Sequence, residues 1–275
     1  MVLDQSYAEE LLRTPRSVDW LEVTPQRWQA RGGRQRWLLD ACAERWPMVP
    51  HCTSLSIAGT DPLDDALLDE VNGFVRRLRA PWWSDHAAFC RADGRWLGEL
   101  LPPPFSVEAV AHVAARVSEA EQRVGVPMLL ENIAWSAAMP GSTMTEPDFL
   151  LALLHAAGCG ILLDLATVSA NAENHGYDAR ALIDQLPVDR LMQIHIGGRV
   201  RQGGRVWPTH AAPVTDEVWD LYAHTLARAG RLVATCVESG ATQRGLDKAL
   251  DDVDRARSLA RWALLSRTEA TLMAS

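Results

Sequence analysis

Short apolar, β-branched runs alternate along the chain with longer stretches in which Leu, Ala and Val recur at helical spacing. The runs Val18 to Thr24, Val49 to Ser56, Pro81 to His86, Pro127 to Asn132, Gly160 to Ala166, Leu191 to Ile196 and Leu232 to Glu238 read as strands. Between them, Gln35 to Trp46, Pro62 to Leu78, Val107 to Val124, Glu146 to Ala157, Ala179 to Gln185 and Thr215 to Ala229 read as amphipathic helices, with Leu246 to Ser266 closing the chain. Ser106 is a candidate N-cap, as are Thr215 and Asp216. Such alternation predicts parallel strands joined by helices. With 275 residues, the expected architecture is a single TIM (β/α)8 barrel domain over residues 1–275. Its remaining strand falls on Val2 and Leu3, so the barrel is expected to be distorted at its first strand. The Gly- and Pro-containing segment from Ile196 to Thr215 reads as a long loop, and such loops are often functional.

Composition narrows the class. Hydrophobic residues make up 48% of the chain, enough for a sizeable core without disulfides. A formal net charge of -8 argues against nucleic acid as partner, because duplex binders carry a basic face that displaces counterions. The five cysteines, Cys42, Cys52, Cys90, Cys159 and Cys236, are widely spaced with no CxxC pair, which fits reduced thiols in the cytoplasm. No apolar run approaches the ~18 residues of a membrane span, and the first residues lack a secretion signal pattern.

The chemistry appears when each strand is followed to its C-terminal end, where a barrel presents its active site. Glu22, His51, His86, Glu131, Asp164, His195 and Glu238 occupy these ends, one for each of the seven strands. One carboxylate there commonly caps the next helix, and one His in an apolar strand is commonly core. Successive occurrences are different: burying so many ionisable groups together costs several kcal/mol each unless a cation compensates. Imidazole and carboxylate donors without thiolate suit iron, manganese or zinc, and their number implies more than one ion, with a carboxylate such as Glu131 bridging. His210 in the long loop is a further candidate ligand or a solvated histidine. Asn171, Asn174 and His175 either orient ligands or form an Asn-rich turn. His112, His155 and His224 fall in helical stretches, and Cys52 reads as core. Among the 11 tryptophans, Trp82, Trp83 and Trp135 flank these blocks and are candidates for an aromatic wall, with core packing the alternative.

Read in order, the blocks DWLEV, HCTSLSIAG, SDH, LLEN, GCGILLD, NHG, IHIGG, TH and VES resemble the multinuclear non-heme iron-dependent oxidative enzymes (MNIO, or DUF692) over nearly the whole chain. That resemblance implies a TIM barrel holding two or three iron ions (Fe2+/Fe3+) with O2 as co-substrate. It also implies oxidation of a residue, often Cys, in a ribosomally made precursor peptide (RiPP biosynthesis) presented by a peptide-recognition partner protein. The iron ligands it carries over are His51, His86, Glu131, Asp164, His195, His210 and Glu238, with Glu131, His195 and His210 as catalytic residues. Where relatives have paired asparagines after the aspartate, this chain has Ala166 and Thr167. Where they have an aspartate two residues before the loop histidine it has Pro208, and where they have an acid two residues after the late glutamate it has Gly240.

The leading expectation is therefore an iron-dependent oxidoreductase acting on a peptide. Two alternatives stand beside it: a divalent-metal isomerase or hydrolase on the same barrel, and a member that binds a peptide or partner without catalysis.

Overall fold

The computed structural model describes residues 1–16, 18–29, 32–238 and 244–274, with side chains through residue 265. Two compact units carry these residues, one formed by Asp19–Leu162 and the other by Met1–Val18 with Leu163–Ser275.

In the Asp19–Leu162 unit, β1 (Leu21–Val23) pairs in parallel with β2 (Met48–Pro50), and a bridge between His51 and Ser84 continues from β2 to β3 (Trp83–His86). β3 pairs in parallel with β6 (Met128–Glu131), which pairs in turn with the start of β7 (Gly160–Asp164). The crossovers are α2 (Gly33–Arg45), α3 (Asp65–Leu78), α4 (Val107–Val124) and α5 (Glu146–Ala157). Every residue of β6 is buried, as its unbroken MLLE run requires of a strand covered on both faces. α4 turns Val110, Val113, Val117, Ala120 and Val124 inward at three- and four-residue spacing, and Ser106 caps it by accepting from the Ala109 N–H at 3.3 Å. The same helix sends the buried Arg116 guanidinium to the carbonyls of Ile57 and Asp61, each at 2.8 Å, which fixes the loop after β2.

Between β3 and α4 lies an antiparallel hairpin that the hydrophobic pattern does not announce, β4 (Phe89–Ala92) with β5 (Arg95–Leu101). Asp93 and Gly94 turn it with φ of 50° and 71°, a pair of left-handed residues of the type a two-residue hairpin turn needs. The Asp61 carboxylate accepts from both of their N–H groups.

In the second unit, the expected first strand is reduced to a one-residue bridge at Val2, followed by α1 (Ala8–Arg13). β7 ends at Asp164, two residues earlier than its apolar run suggests, because the Asp164 carboxylate accepts from the Thr167 N–H at 3.0 Å and starts α6 (Leu165–His175). The segment with Asn171, Asn174 and His175 is therefore helix, not an Asn-rich turn. After α7 (Ala179–Gln185), β8 (Leu191–Ile196) pairs in parallel with β11 (Ala234–Val237), and α8 (Asp216–Ala229) connects them. Thr215 stands at the N-cap of α8 without a side-chain capping bond. The expected long loop from Ile196 to Thr215 is largely a second antiparallel hairpin, β9 (Gly198–Gln202) with β10 (Arg205–Thr209), turned at Gly203 and Gly204. The final helix, α9 (Leu246–Ala274), runs beyond its predicted end.

All five cysteines are buried as thiols, and burial pushes the Cys52 thiol well above its ordinary range. Trp83 is fully buried in the core. Trp135 donates to Glu146 at 2.8 Å and meets Phe105 edge-on, so both tryptophans take part in packing. His112 and His155 lie on α4 and α5, and His224 on α8 is paired with Asp184.

Candidate metal centre

Within the Asp19–Leu162 unit, parallel register does the positioning. His86 and Glu131 are register partners at the last residues of β3 and β6, and the His51–Ser84 bridge brings His51 beside them. Glu131 Oε2 lies 3.5 Å from His51 Nε2 and 3.3 Å from His86 Nε2, and one ligating atom from each residue falls within 4.8 Å of the others. The imidazole rings meet edge to face, 4.9 Å apart. His51 Nδ1 is held at 2.9 Å by Ser84 Oγ, and His86 Nδ1 lies 3.5 Å from Asp85 Oδ1. Asp85, buried, also accepts from the Leu55 and His86 N–H groups, so one carboxylate ties the loop after β2 to the end of β3. A ring held at Nδ1 presents Nε2 in one orientation, the arrangement that metal-binding histidines share. Glu22 is buried in the middle of β1.

The second unit gathers His195, His210 and Glu238. Glu238 Oε1 is 3.4 Å from His195 Nδ1, and Oε2 is 3.3 Å from His210 Nε2. The Gln193 amide, two residues before His195 and on the same face of β8, meets His195 Nε2 at 2.9 Å. His195 and Gln193 are fully buried, whereas the His210 side chain, just past the end of β10, is 58% exposed. Burial pushes the Glu238 carboxyl up, but the imidazoles of His195 and His210 outweigh it and hold it well below the ordinary range. His210 is raised to about 9, chiefly by the Glu238 charge and further by Asp164.

Six of the seven expected ligands thus lie against one another at 3.3–3.5 Å inside their own unit, and His210 is close enough to Asp164 to feel its charge. Asp164 is shared with helix capping through Oδ1. The sequence reading missed Ser84, Asp85 and Gln193. Two of these carry a visible signal: Ser84 and Gln193 are polar residues two positions before a strand-end histidine, hence on the same strand face. Ala166 and Thr167 are buried in the first turn of α6, while Gly240 lies outside the described residues.

The donor set fits a divalent transition metal. Imidazole nitrogens and carboxylate oxygens are borderline-to-hard ligands, and bonds of about 2.1 Å around one ion put neighbouring donor atoms about 3–3.4 Å apart. The Glu131–His86 contact, at 3.3 Å, has that spacing, and the Glu131–His51 contact, at 3.5 Å, lies just above it.

Fold and site define a class: an α/β chain whose strands end in buried histidine–carboxylate clusters. The chain belongs to the family described as RiPP precursor modification enzyme MbnB/TglH/ChrH, whose profile matches residues 1–261. It is 38% identical over 232 residues to a UPF0276 protein of Anaeromyxobacter sp. (strain Fw109-5), covering 84% of this chain and 81% of that one. A UPF0276 protein of Pseudomonas aeruginosa (strain UCBPP-PA14) is 38% identical over 245 residues, covering 89% and 85%. Among solved structures, D-psicose 3-epimerase from Clostridium cellulolyticum H10 superposes with a TM-score of 0.59 at 11% identity, covering 94% of this chain and 93% of that one. That likeness concerns the fold, which is the TIM barrel. Among the described residues no helix is long and apolar enough to cross a membrane.

Proposed function

We propose that this chain is a cytoplasmic non-heme iron oxidase that uses O2 to modify a residue, foremost a cysteine, of a ribosomally made precursor peptide delivered by a recognition partner. The observation that carries the reading is the convergence of His51 and His86 Nε2 on one buried Glu131 oxygen. Family membership supports the peptide substrate. His51, His86 and Glu131 would hold one metal ion, and His195, His210 and Glu238, with Asp164, would hold metal in the second unit. Iron bound by such ligands supplies one-electron chemistry with dioxygen.

The chain's own residues do the rest. Ser84 fixes the orientation of His51 and Gln193 that of His195, while Asp85 accepts from the backbone N–H of His86, so these donors are arranged before an ion arrives. Half-exposed His210 is the group of its cluster that a peptide from solvent meets first, and buried His195 and Glu238 keep water from the donors behind it. Glu131, His195 and His210 are the residues assigned to the reacting atoms.

The test is metal content on protein purified without oxygen, followed by oxygen uptake with a cysteine-bearing precursor peptide. Two or more irons per chain, with uptake that requires the peptide, are expected. Zinc or manganese without oxygen uptake would move the assignment to a metal isomerase or hydrolase. A folded chain that takes up no metal after anaerobic reconstitution would leave a binding protein.

A further inference from the structure

The hairpin of β9 and β10 ends one residue before His210, and side chains of helix α6 hydrogen-bond to it. The Asn174 amide donates to the Val206 carbonyl at 2.7 Å and accepts from the Val206 N–H at 2.8 Å. An antiparallel strand turns both polar groups of alternate residues away from its partner, and here Asn174 takes the pair as a neighbouring strand would. A side-chain amide carries its donor and acceptor side by side, as a peptide group does. On the same helix, Ser169 and Glu173 accept from the Arg199 guanidinium of β9, each at 2.9 Å, and Glu173 also pairs with Arg201.

Beyond His210 the chain is anchored again. A Cβ on Gly198 would stand 2.3 Å from the Ala212 carbonyl oxygen, so the base of β9 lies directly against the returning segment. His210 therefore sits between two fixed points, Val206 and Ala212, while its own ring is more than half exposed. The same helix α6 begins at Asp164, so one rigid element carries a candidate ligand at its N-cap and the hairpin of another on its flank.

We infer that Asn174 is a positioning residue: by clamping Val206 it sets where the His210 imidazole stands relative to Glu238 and Asp164. This rests on reading His210 as a metal ligand. The test is anaerobic titration of the full chain with ferrous ion alone, comparing wild type, Asn174→Ala, His210→Ala and the double variant, with thermal unfolding as a check on the fold. Asn174→Ala should weaken, by roughly 10- to 100-fold, the binding of the ferrous ion whose affinity His210→Ala also lowers, the range seen when the partner of a metal ligand is lost. In the His210→Ala background it should change ferrous affinity by no more than about two-fold, since residues acting through one another are not additive. If Asn174→Ala does not fold, Asn174→Asp, which keeps the acceptor and loses the donor, should show a smaller loss of the same kind. Equal losses in both backgrounds, or no loss where His210→Ala has a clear effect, would overturn the inference alone. If His210→Ala leaves ferrous affinity unchanged, the ligand reading falls, and this inference with it.

Discussion

The two histidine–carboxylate clusters are built on opposite plans. In the Asp19–Leu162 unit the donors come from β3, β6 and the residue after β2, with His51 and Glu131 buried and His86 partly so, and the registers of regular strands fix them. In the other unit, His195 and Glu238 are equally buried, but the third donor arrives on a hairpin held from outside by helix side chains. Strand register is set by the whole core and cannot drift without turning residues to the other face. A hairpin pinned by a few hydrogen bonds can be displaced one contact at a time. The first cluster should behave as a fixed metal site and the second as an adjustable one, open to solvent at His210.

The largest effect should come from Glu131, the residue both imidazoles of the first cluster face. Glu131→Ala should lower metal affinity there by more than the roughly 100-fold upper range for losing an outer partner, with one metal fewer per chain by elemental analysis. Retention of full metal content would remove the basis for calling this cluster the fixed site. Gly198→Ala should act only on the second cluster. The added carbon meets backbone, which cannot swing away, so relief requires the hairpin base or the segment bearing His210 to move. Overpacking of this kind costs about 1–3 kcal/mol, readable as a fall in unfolding temperature, and the metal bound by His51, His86 and Glu131 should be unaffected. Ser84→Ala should cost less, roughly ten-fold in metal affinity, because it frees the His51 ring without removing a donor. A larger effect from Ser84→Ala than from Glu131→Ala would invert the proposed roles.

The contrast also explains what the sequence makes legible. Strand-end donors can be found from sequence because a strand's residues are contiguous and its C-terminal end is marked by the change of period. That is why His51, His86, Glu131, Asp164, His195 and Glu238 stand out, and why α4, α5 and α7 match their predicted spans. The two hairpins are hard to see because their apolar residues do not alternate cleanly: β5 exposes Trp96 and Leu97, and β9 exposes Val200. Their turns, Asp93-Gly94 and Gly203-Gly204, are the only local signal. Helix α6 was hidden because Asp164 both ends a strand and caps a helix, so the apolar Leu165 and Ala166 extend the strand pattern into it. The Asn174 clamp spans 32 residues of chain and leaves no trace in spacing.

The smallest effect separates the clusters by charge. His210 is raised from 6.5 to about 9 by Glu238, so in metal-free protein its contribution to stability is complete below pH 6.5 and disappears as pH rises through about 9. Glu238 is held well below 4.5, so its share is present above pH 4.5 and is lost only as pH falls through that depressed value. Both contributions are therefore complete between pH 4.5 and 6.5. The stability difference between wild type and His210→Ala, measured by denaturant unfolding of metal-free protein, should be flat across that window and shrink toward pH 9.5. Because the His210 side chain is 58% exposed, solvent screens the pair, and the difference should stay below about 1 kcal/mol and diminish in high salt. A difference independent of pH and salt would mean that His210 is held by packing and not by the Glu238 charge. The second cluster would then be as rigidly built as the first, with Val206 and Ala212 fixing the hairpin whether or not Glu238 is ionised.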